Sequence, residues 1–251
     1  PDLKAYNVAI TACERMGRWE ESLALAEEMR QRRLQPTERT YGALLGAAGG
    51  RGPSWDLALQ LLGEMQQHGV EANVINYNAA IAACARGEQW AVAVQLLEDM
   101  WASGLVPDVV TYNSIISACE NAGQWEWALW LLQDMRSRGL VPDVVSYSSA
   151  ISACSQRDQW EWALHLFEEM QSQGVTPNLI TFNAAIGACA RCGQTAWVSH
   201  LMATMRERGL EPDGLSYSAA ISIGSAEPPQ SKSREPSEVG EEEGEVQDGA
   251  K

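Results

Sequence analysis

Small polar side chains recur at a fixed spacing within an otherwise apolar pattern, and their chemistry suits recognition. Asn78, Asn113, Ser148 and Asn183 stand 35 residues apart. A side-chain amide carries both a donor and an acceptor, and a nearby carboxylate can fix its orientation. The simpler interpretation is that these residues are exposed near a helix start and that residues such as Asp108 cap the next helix. Capping alone does not explain why an Asn or Ser returns at this one position.

Two further rows indicate packing rather than chemistry. The cysteines at one equivalent position are Cys13, Cys84, Cys119, Cys154 and Cys189, and the tryptophans at another are Trp19, Trp55, Trp90, Trp125 and Trp160. Cysteines one repeat apart are too distant for disulfides, so both rows are expected in the core between repeats. Cys189 and Cys192 form half of a zinc motif, but no second pair follows, so no metal or other cofactor is expected.

Catalytic residue patterns are missing from the sequence. None of the three histidines, His68, His165 and His200, begins a His-x-Glu motif, and no Pro-Cys-x-x-Cys occurs, so the zinc deaminase signature is absent. No compact acidic cluster for a metal-dependent nuclease is visible either. The sequence therefore predicts a binding protein and not an enzyme.

The spacing of these rows reflects a repeat of about 35 residues. The segments that align without gaps include 109–119, 144–154 and 179–189. Within one unit, apolar residues over 112–119 follow helical spacing, and a second apolar stripe covers 125–135 before Gly139 and Pro142 end it. Each unit is thus predicted to be a helical hairpin. Stacked hairpins form a solenoid, whose concave face is the natural binding surface.

Six complete units and the start of a seventh follow this template. They are 3–37, 38–73, 74–108, 109–143, 144–178, 179–213 and a partial unit, 214–224. The second unit is one residue longer, and the extra residue falls in the turn at 49–53, where insertions cost little. Residues 225–251 are rich in Pro, Ser, Gly and Glu, which predicts a disordered acidic tail. Pro1-Asp2 matches the ends of other units, so we expect further repeats and any targeting segment upstream.

The net charge of −15 argues at first sight against a nucleic-acid partner, because phosphate binding usually requires a basic surface. The tail holds eight acidic and three basic residues, which leaves −10 on the repeats. Much of that remainder lies on the second helices, which are expected to form the convex, solvated face. No apolar run approaches the roughly 18 residues that span a bilayer, so no membrane contact is expected.

The period, the Val-Val-Thr-Tyr-Asn opening at 109–113 and the Gly-Leu-Val-Pro-Asp closing at 139–143 resemble the pentatricopeptide repeat family. The likeness covers residues 1 to about 223 and fits the family's plain 35-residue class. The tetratricopeptide repeat has a shorter period and a different signature. The resemblance implies an all-α, right-handed superhelical solenoid of helix-turn-helix repeats. It also implies binding of single-stranded RNA, with one base read per repeat.

The resemblance further implies which residues contact RNA. The fifth and last residues of each unit would read the bases: Asn7 with Thr37, Gly42 with Asn73, Asn78 with Asp108, Asn113 with Asp143, Ser148 with Asn178, Asn183 with Asp213, and Ser218 in the partial unit. The second residues would stack between bases, namely Ile75, Val110, Val145 and Ile180, with Leu215 following, while Lys4 and Arg39 would stack or pair with phosphate. Phosphate contacts are implied for Arg15, Arg86 and Arg191, in a row that Asn121 and Gln156 interrupt.

A base order and a cellular role follow from the same resemblance. In family members Asn with Asp favours U and Ser with Asn favours A, so the third to sixth units would read 5′-U-U-A-U-3′. Asn7 with Thr37 suggests a pyrimidine upstream, and Gly42 with Asn73 is undecided. The implied role is RNA processing, stabilisation or translation in an organelle, either chloroplast or mitochondrion. The alternative is a protein-interaction scaffold without nucleic-acid binding, favoured by the acidic charge and by Gly42.

Deleting residues 225–251 is expected to tighten RNA binding at low salt, because the acidic tail competes with phosphates for the groove. The difference should shrink at high salt, where charges are screened. Filter-binding titrations of both chain lengths at two salt concentrations test this. Equal affinities at low salt would reject the competition.

Overall fold

The computed structural model describes residues 2–49 and 55–224, which form α-helices joined by short turns. The first helices of the hairpins are α1 Leu3–Arg15, α3 Glu38–Gly49, α5 Val74–Arg86, α7 Val109–Asn121, α9 Val144–Gln156, α11 Leu179–Arg191 and α13 Gly214–Gly224. The second helices are α2 Trp19–Gln31, α4 Trp55–Gln67, α6 Trp90–Ala102, α8 Trp125–Ser137, α10 Trp160–Ser172 and α12 Thr195–Glu207. The described residues contain no β-strand, so the predicted all-α class is confirmed. The predicted tail and residues 50–54 of the insertion turn lie outside the described residues.

The helices form two layers that differ in how closely they pack. Each first helix packs against the first helices of the adjacent units and against the second helices beside it. Within the described chain, the backbones of neighbouring second helices lie farther apart, and side chains bridge them, as in the ring contact Trp90–Trp127 at 5.6 Å and the ion pair Arg136–Glu169. Because the first helices lie closer together, the array curves with the first helices on its concave side. The protein is a helical repeat solenoid.

Buried aromatic rings tie the two layers together. Tyr112 and Tyr147 are fully buried in α7 and α9. The Tyr112 hydroxyl donates to Asp134 Oδ2 at 2.6 Å, and Arg136 Nη2 donates to the Tyr147 hydroxyl at 2.8 Å. A buried ring whose hydroxyl is hydrogen-bonded contributes its apolar area without leaving a polar atom unsatisfied. The partners belong to α8, so each contact fixes a first helix against a second helix.

The cysteine row lies in the core, as predicted. Cys84, Cys119, Cys154 and Cys189 have no exposed surface, and Cys13 is 8% exposed. Burial raises the pKa of the Cys119 and Cys154 thiols to about 12. These thiols therefore stay protonated near neutral pH and act as small apolar groups in the helix interface.

The tryptophan row is less buried than the core position predicted for it. Trp55, Trp90, Trp125 and Trp160 pack against the core but remain half-buried, because each begins a helix of the outer layer. A second set of tryptophans on the helices of the outer layer is exposed. Its members are Trp127, Trp130, Trp162 and Trp197, with exposed fractions between 37% and 48%.

The tight turn inside the first hairpin, and inside the third to sixth, has one residue in the left-handed region. Gly123 has φ of 64° there, and its N–H donates to the Glu120 carbonyl at 3.0 Å, which closes the end of α7. The equivalent positions in the third and fifth units hold Glu88 and Asp158, with φ of 57° and 58°. A residue with a Cβ costs roughly 1–2 kcal/mol in this conformation, whereas glycine does not.

Replacing Glu88 with Gly is expected to stabilise the array by about 1 kcal/mol, because it removes the left-handed strain at some cost in unfolded-chain entropy. Urea unfolding measures the change. Gly123→Glu is the matched control and should destabilise, since a Cβ at Gly123 would lie 2.5 Å from Arg157 Nε. A loss of stability in Glu88→Gly would contradict the explanation.

Candidate functional site

The concave layer carries one exposed aliphatic side chain in each of five consecutive units. These are Ile75, Val110, Val145, Ile180 and Leu215, with exposed fractions of 71, 58, 50, 65 and 69%. Single exposed aliphatic residues are common, but a row at the second position of successive units is a candidate contact surface. The row contains all four residues predicted to stack between bases. In the first two units the same position holds Lys4 and Arg39, which are also exposed.

Bays open between successive aliphatic side chains. Val110 and Val145 flank a bay of about 350 Å³, lined also by Asn113 and by Arg86 from the preceding unit. A second bay, of about 530 Å³, lies between Ile180 and Leu215 and is lined by Asn183, Ser218 and Arg191. Each bay thus brings together a stacking, a reading and a phosphate candidate that are separated in the sequence.

The amide of Asn113 is held between two neighbours that determine its orientation. Its Nδ2 donates to Asp143 Oδ1 at 3.1 Å, and its Oδ1 accepts from the Ser146 hydroxyl at 2.5 Å. An ionised carboxylate only accepts hydrogen bonds, so the amide nitrogen must face Asp143. One N–H and one lone pair of the amide remain available to a ligand in the bay.

Two other units repeat this three-residue cluster. The clusters are Asn78–Asp108–Thr111 and Asn183–Asp213–Ser216. The amide-to-carboxylate distances are 3.2 and 3.0 Å, and the hydroxyl-to-amide distances are 2.6 and 2.5 Å. The side chains predicted to act as pairs are therefore in contact in these units.

The hydroxyl of each cluster comes from the third residue of the following unit. The sequence pattern had not indicated a role for this position. The residues at this position with a hydroxyl are Thr40, Thr111, Ser146, Thr181 and Ser216, and all are fully buried. The Ser146 hydroxyl also accepts from the Asp143 backbone N–H at 3.1 Å, so it is satisfied on both sides. A Thr or Ser three residues after Asp or Asn is a variant of the capping box, and that signal could have revealed the position.

The first and fifth units vary the cluster. Asn7 Oδ1 accepts from the Thr40 hydroxyl at 2.6 Å, while Thr37 contacts Thr40 at 3.1 Å in place of a carboxylate. In the fifth unit the shorter Ser148 reaches the Thr181 hydroxyl at 2.6 Å. Within the described chain no hydrogen bond joins Ser148 to its predicted pair Asn178; Thr181 bridges them, donating to Asn178 Oδ1 at 2.9 Å.

The other residues predicted to read bases have different surroundings. Asn73 caps α5 by accepting from the Asn76 N–H at 3.0 Å, and its Nδ2 donates to the Glu38 carboxylate. Gly42 presents no side chain. Ser218 donates to the Leu215 carbonyl at 3.0 Å and is exposed.

The three arginines predicted to contact phosphate differ in their surroundings. Arg15 and Arg86 end α1 and α5 and are exposed. Arg191 instead donates to Asp158 Oδ1 at 3.1 Å and to Ser155 Oγ at 2.6 Å. A phosphate at Arg191 would therefore share the guanidinium with Asp158 and Ser155.

The carboxylates of the clusters stay ionised well below neutral pH. Partial burial acts to raise the pKa of Asp108, but hydrogen bonds from the Thr111 N–H, the Thr111 hydroxyl and the Asn78 amide together lower it below its ordinary value. Hydrogen bonds likewise lower the pKa of Asp143 against the effect of burial. At Asp213 the Ser216 N–H is the main cause of the lowered pKa. The described residues include no group of three or more His, Cys, Asp or Glu side chains placed to hold a metal ion, and none of their helices is long and apolar enough to cross a membrane.

Sequence comparison identifies the family. The model of the PPR repeat family matches residues 1–49, 107–156 and 142–191, a pentatricopeptide repeat domain model matches 60–122, and a PPR repeat model matches 180–210. The chain belongs to the pentatricopeptide repeat family. This pentatricopeptide repeat protein is 39% identical over 83 residues to pentatricopeptide repeat-containing protein 10, chloroplastic, of Zea mays. It is 32% identical over 84 residues to a chloroplastic pentatricopeptide repeat-containing protein of Arabidopsis thaliana.

Solved pentatricopeptide repeat structures share the fold. The crystal structure of PPR10 from maize superposes with a TM-score of 0.71 at 32% identity over 89% of this chain. PPR10 in complex with an 18-nt psaJ RNA element superposes with a TM-score of 0.59 at 21% identity. The chain spans about a tenth of the two curated relatives, 11% and 10%, and 32% of the first PPR10 structure.

The lowered pKa of Asp108 makes its stabilising effect dependent on pH. A group with a depressed folded-state pKa contributes stability that is complete above its unfolded pKa, about 3.9 for Asp, and is lost as pH falls through the folded value. Asp108→Asn should therefore be less stable than the wild type at pH 6, with the difference narrowing below about pH 4. Urea unfolding across this range measures it, and a difference independent of pH would contradict the assignment.

Proposed function

We propose that this array binds single-stranded RNA along its concave face, with one base in the bay of each unit. The observation that carries the proposal is the recurring bay, in which two exposed aliphatic side chains flank an oriented amide. Aliphatic walls suit the faces of a base, and an amide with one free N–H and one free lone pair suits its edge. A single strand with unpaired bases presents such faces and edges at regular intervals.

Differences between the clusters support different base preferences. In the third, fourth and sixth units the amide nitrogen is partly engaged by an Asp carboxylate. In the fifth unit no described residue accepts from Asn178 Nδ2, so both of its N–H groups are available. The fifth unit thus offers more donors, which supports a base preference distinct from its neighbours and agrees with the proposed order 5′-U-U-A-U-3′.

The modest basic character of the groove supports recognition through bases more than through phosphates. Arg15 and Arg86 are exposed, whereas Arg191 is engaged with Asp158. Few phosphate contacts imply a shallow dependence of affinity on salt. We propose an organellar role in RNA processing, stabilisation or translation, supported by two relatives that are named as chloroplastic.

A protein-interaction scaffold is the second candidate, favoured by the exposed tryptophans Trp127, Trp130, Trp162 and Trp197 on the second helices. The two functions are separated by a filter-binding titration with random single-stranded RNA at several salt concentrations. Saturable binding supports the RNA function. A scaffold alone would show none.

The double change Ser148→Asn with Asn178→Asp gives the fifth unit the chemistry of its neighbours. The preference at the matching base should move from A to U, with roughly 1–3 kcal/mol of discrimination, the scale of a base-edge hydrogen-bond pair. Two oligonucleotides that differ only at that base, titrated against both proteins, measure the change.

The matched control is the reverse exchange in the fourth unit, Asn113→Ser with Asp143→Asn. It should move preference from U to A one base upstream and leave the fifth unit unaffected. A preference that stays at A in the first variant, or a shift at another base in either variant, would show that the register is wrong.

A further inference from the structure

The second unit departs from the others at both positions of its predicted pair. Gly42 occupies the place where the other complete units carry Asn or Ser, and Asn73 uses its side chain to cap α5 and to bond Glu38. On the predicted pairing this unit would have no side chain left to read a base. The base opposite it would then be unspecified.

The third residue of the next unit, which lies beside Gly42, also differs from its equivalents. The other clusters hold a Thr or Ser there, whereas the cluster beside Gly42 holds Asn76. Asn76 Oδ1 accepts from the Asn73 backbone N–H at 3.0 Å, which is the role that the hydroxyl oxygen has elsewhere. Its Nδ2 replaces the hydroxyl proton that elsewhere donates to the amide of the fifth residue.

The Nδ2 donor of Asn76 has no acceptor in the described chain, because Gly42 has no side chain. Asn76 is only 1% exposed, and none of the described residues accepts a hydrogen bond from its Nδ2. That nitrogen lies 3.5 Å from the point where a Cβ of Gly42 would stand. An amide donor without a protein partner thus faces the space that the side chain of the fifth residue fills in other units, and a hydrogen bond to a ligand would satisfy it.

Packing does not explain the glycine. Gly42 lies inside α3 with ordinary helical geometry, and a Cβ there would meet only Asn76 Nδ2, at normal contact distance. Glycine inside a helix is less favourable than alanine. The space above Asn76 is therefore open although an alanine side chain at position 42 would fit and would favour the helix.

We infer that Asn76 reads the base of the second unit, taking the place of the absent side chain at Gly42. This inference rests on the proposed RNA-binding function. Asn76 presents a donor into the gap, so it selects a base with a carbonyl oxygen at the contacting edge. U and G carry such an oxygen, at O4 and O6, whereas C and A carry an amino group there. The second unit should prefer U or G, directly 5′ of the U-U-A-U segment.

The test compares four RNA oligonucleotides that end in U-U-A-U and differ only in the base directly upstream. The wild-type array should bind the U and G forms at least about fivefold more tightly than the C and A forms. Asn76→Asp keeps the shape and the cap but replaces the donor with an acceptor. Its ranking should reverse, with C and A bound more tightly than U and G.

Gly42→Ala is the companion variant, because a methyl group fills the gap without displacing Asn76. It should raise the melting temperature and abolish discrimination at this base, while discrimination at the U-U-A-U bases is retained. A role of Asn76 that was purely structural would not reverse the ranking in Asn76→Asp.

The outcomes separate this inference from the proposed function. If the array binds RNA but the upstream base has no effect, or Asn76→Asp keeps the wild-type ranking, the assignment of Asn76 is wrong and RNA binding stands. If none of the four oligonucleotides binds saturably, both are overturned. A reversed ranking in a variant that melts cooperatively supports both.

Discussion

A hydroxyl group buried at the third position of a first helix needs both a hydrogen-bond donor and an acceptor. The orientation of the amide side chains in the groove depends on that requirement. The Ser146 hydroxyl accepts from the backbone of its own helix start and donates to Asn113 of the preceding unit. One small side chain thus caps a helix and sets the direction in which the neighbouring amide points. The amide is oriented before any ligand arrives, so binding does not have to order it.

Helix positions were predictable because helical periodicity and turn residues are local properties. The apolar stripes of 112–119 and 125–135 correspond to α7 and α8, and Gly123 and Gly139 adopt the left-handed conformations that end helices. Contacts between units were harder to predict, because they join residues 33 to 36 positions apart. The link from Arg191 to Ser155 and Asp158 and the role of the third residue belong to this class. Reading one repeat in isolation cannot reveal either contact.

The acidic composition and a nucleic-acid ligand are compatible because the two layers divide the charges between them. Acidic pairs such as Glu98-Asp99 and Glu168-Glu169 belong to the second helices, on the convex side. The bays on the concave side are lined mainly by neutral polar and aliphatic residues, with an arginine at one end. Net charge describes the whole surface, whereas a ligand responds to the face that it contacts.

Within the described chain, neighbouring helices lie closer together in the concave layer than in the convex layer, and this makes the two layers differ in stiffness. The concave layer is a continuous close-packed row, while neighbouring convex helices meet through side chains, in ion pairs such as Arg30–Glu64 and Arg136–Glu169 and in the ring contact Trp90–Trp127. Close-packed interiors resist compression, whereas partly exposed ion pairs contribute little energy and can break and re-form. We therefore expect bending of the solenoid to alter the contacts between second helices more than the spacing of the inner bays.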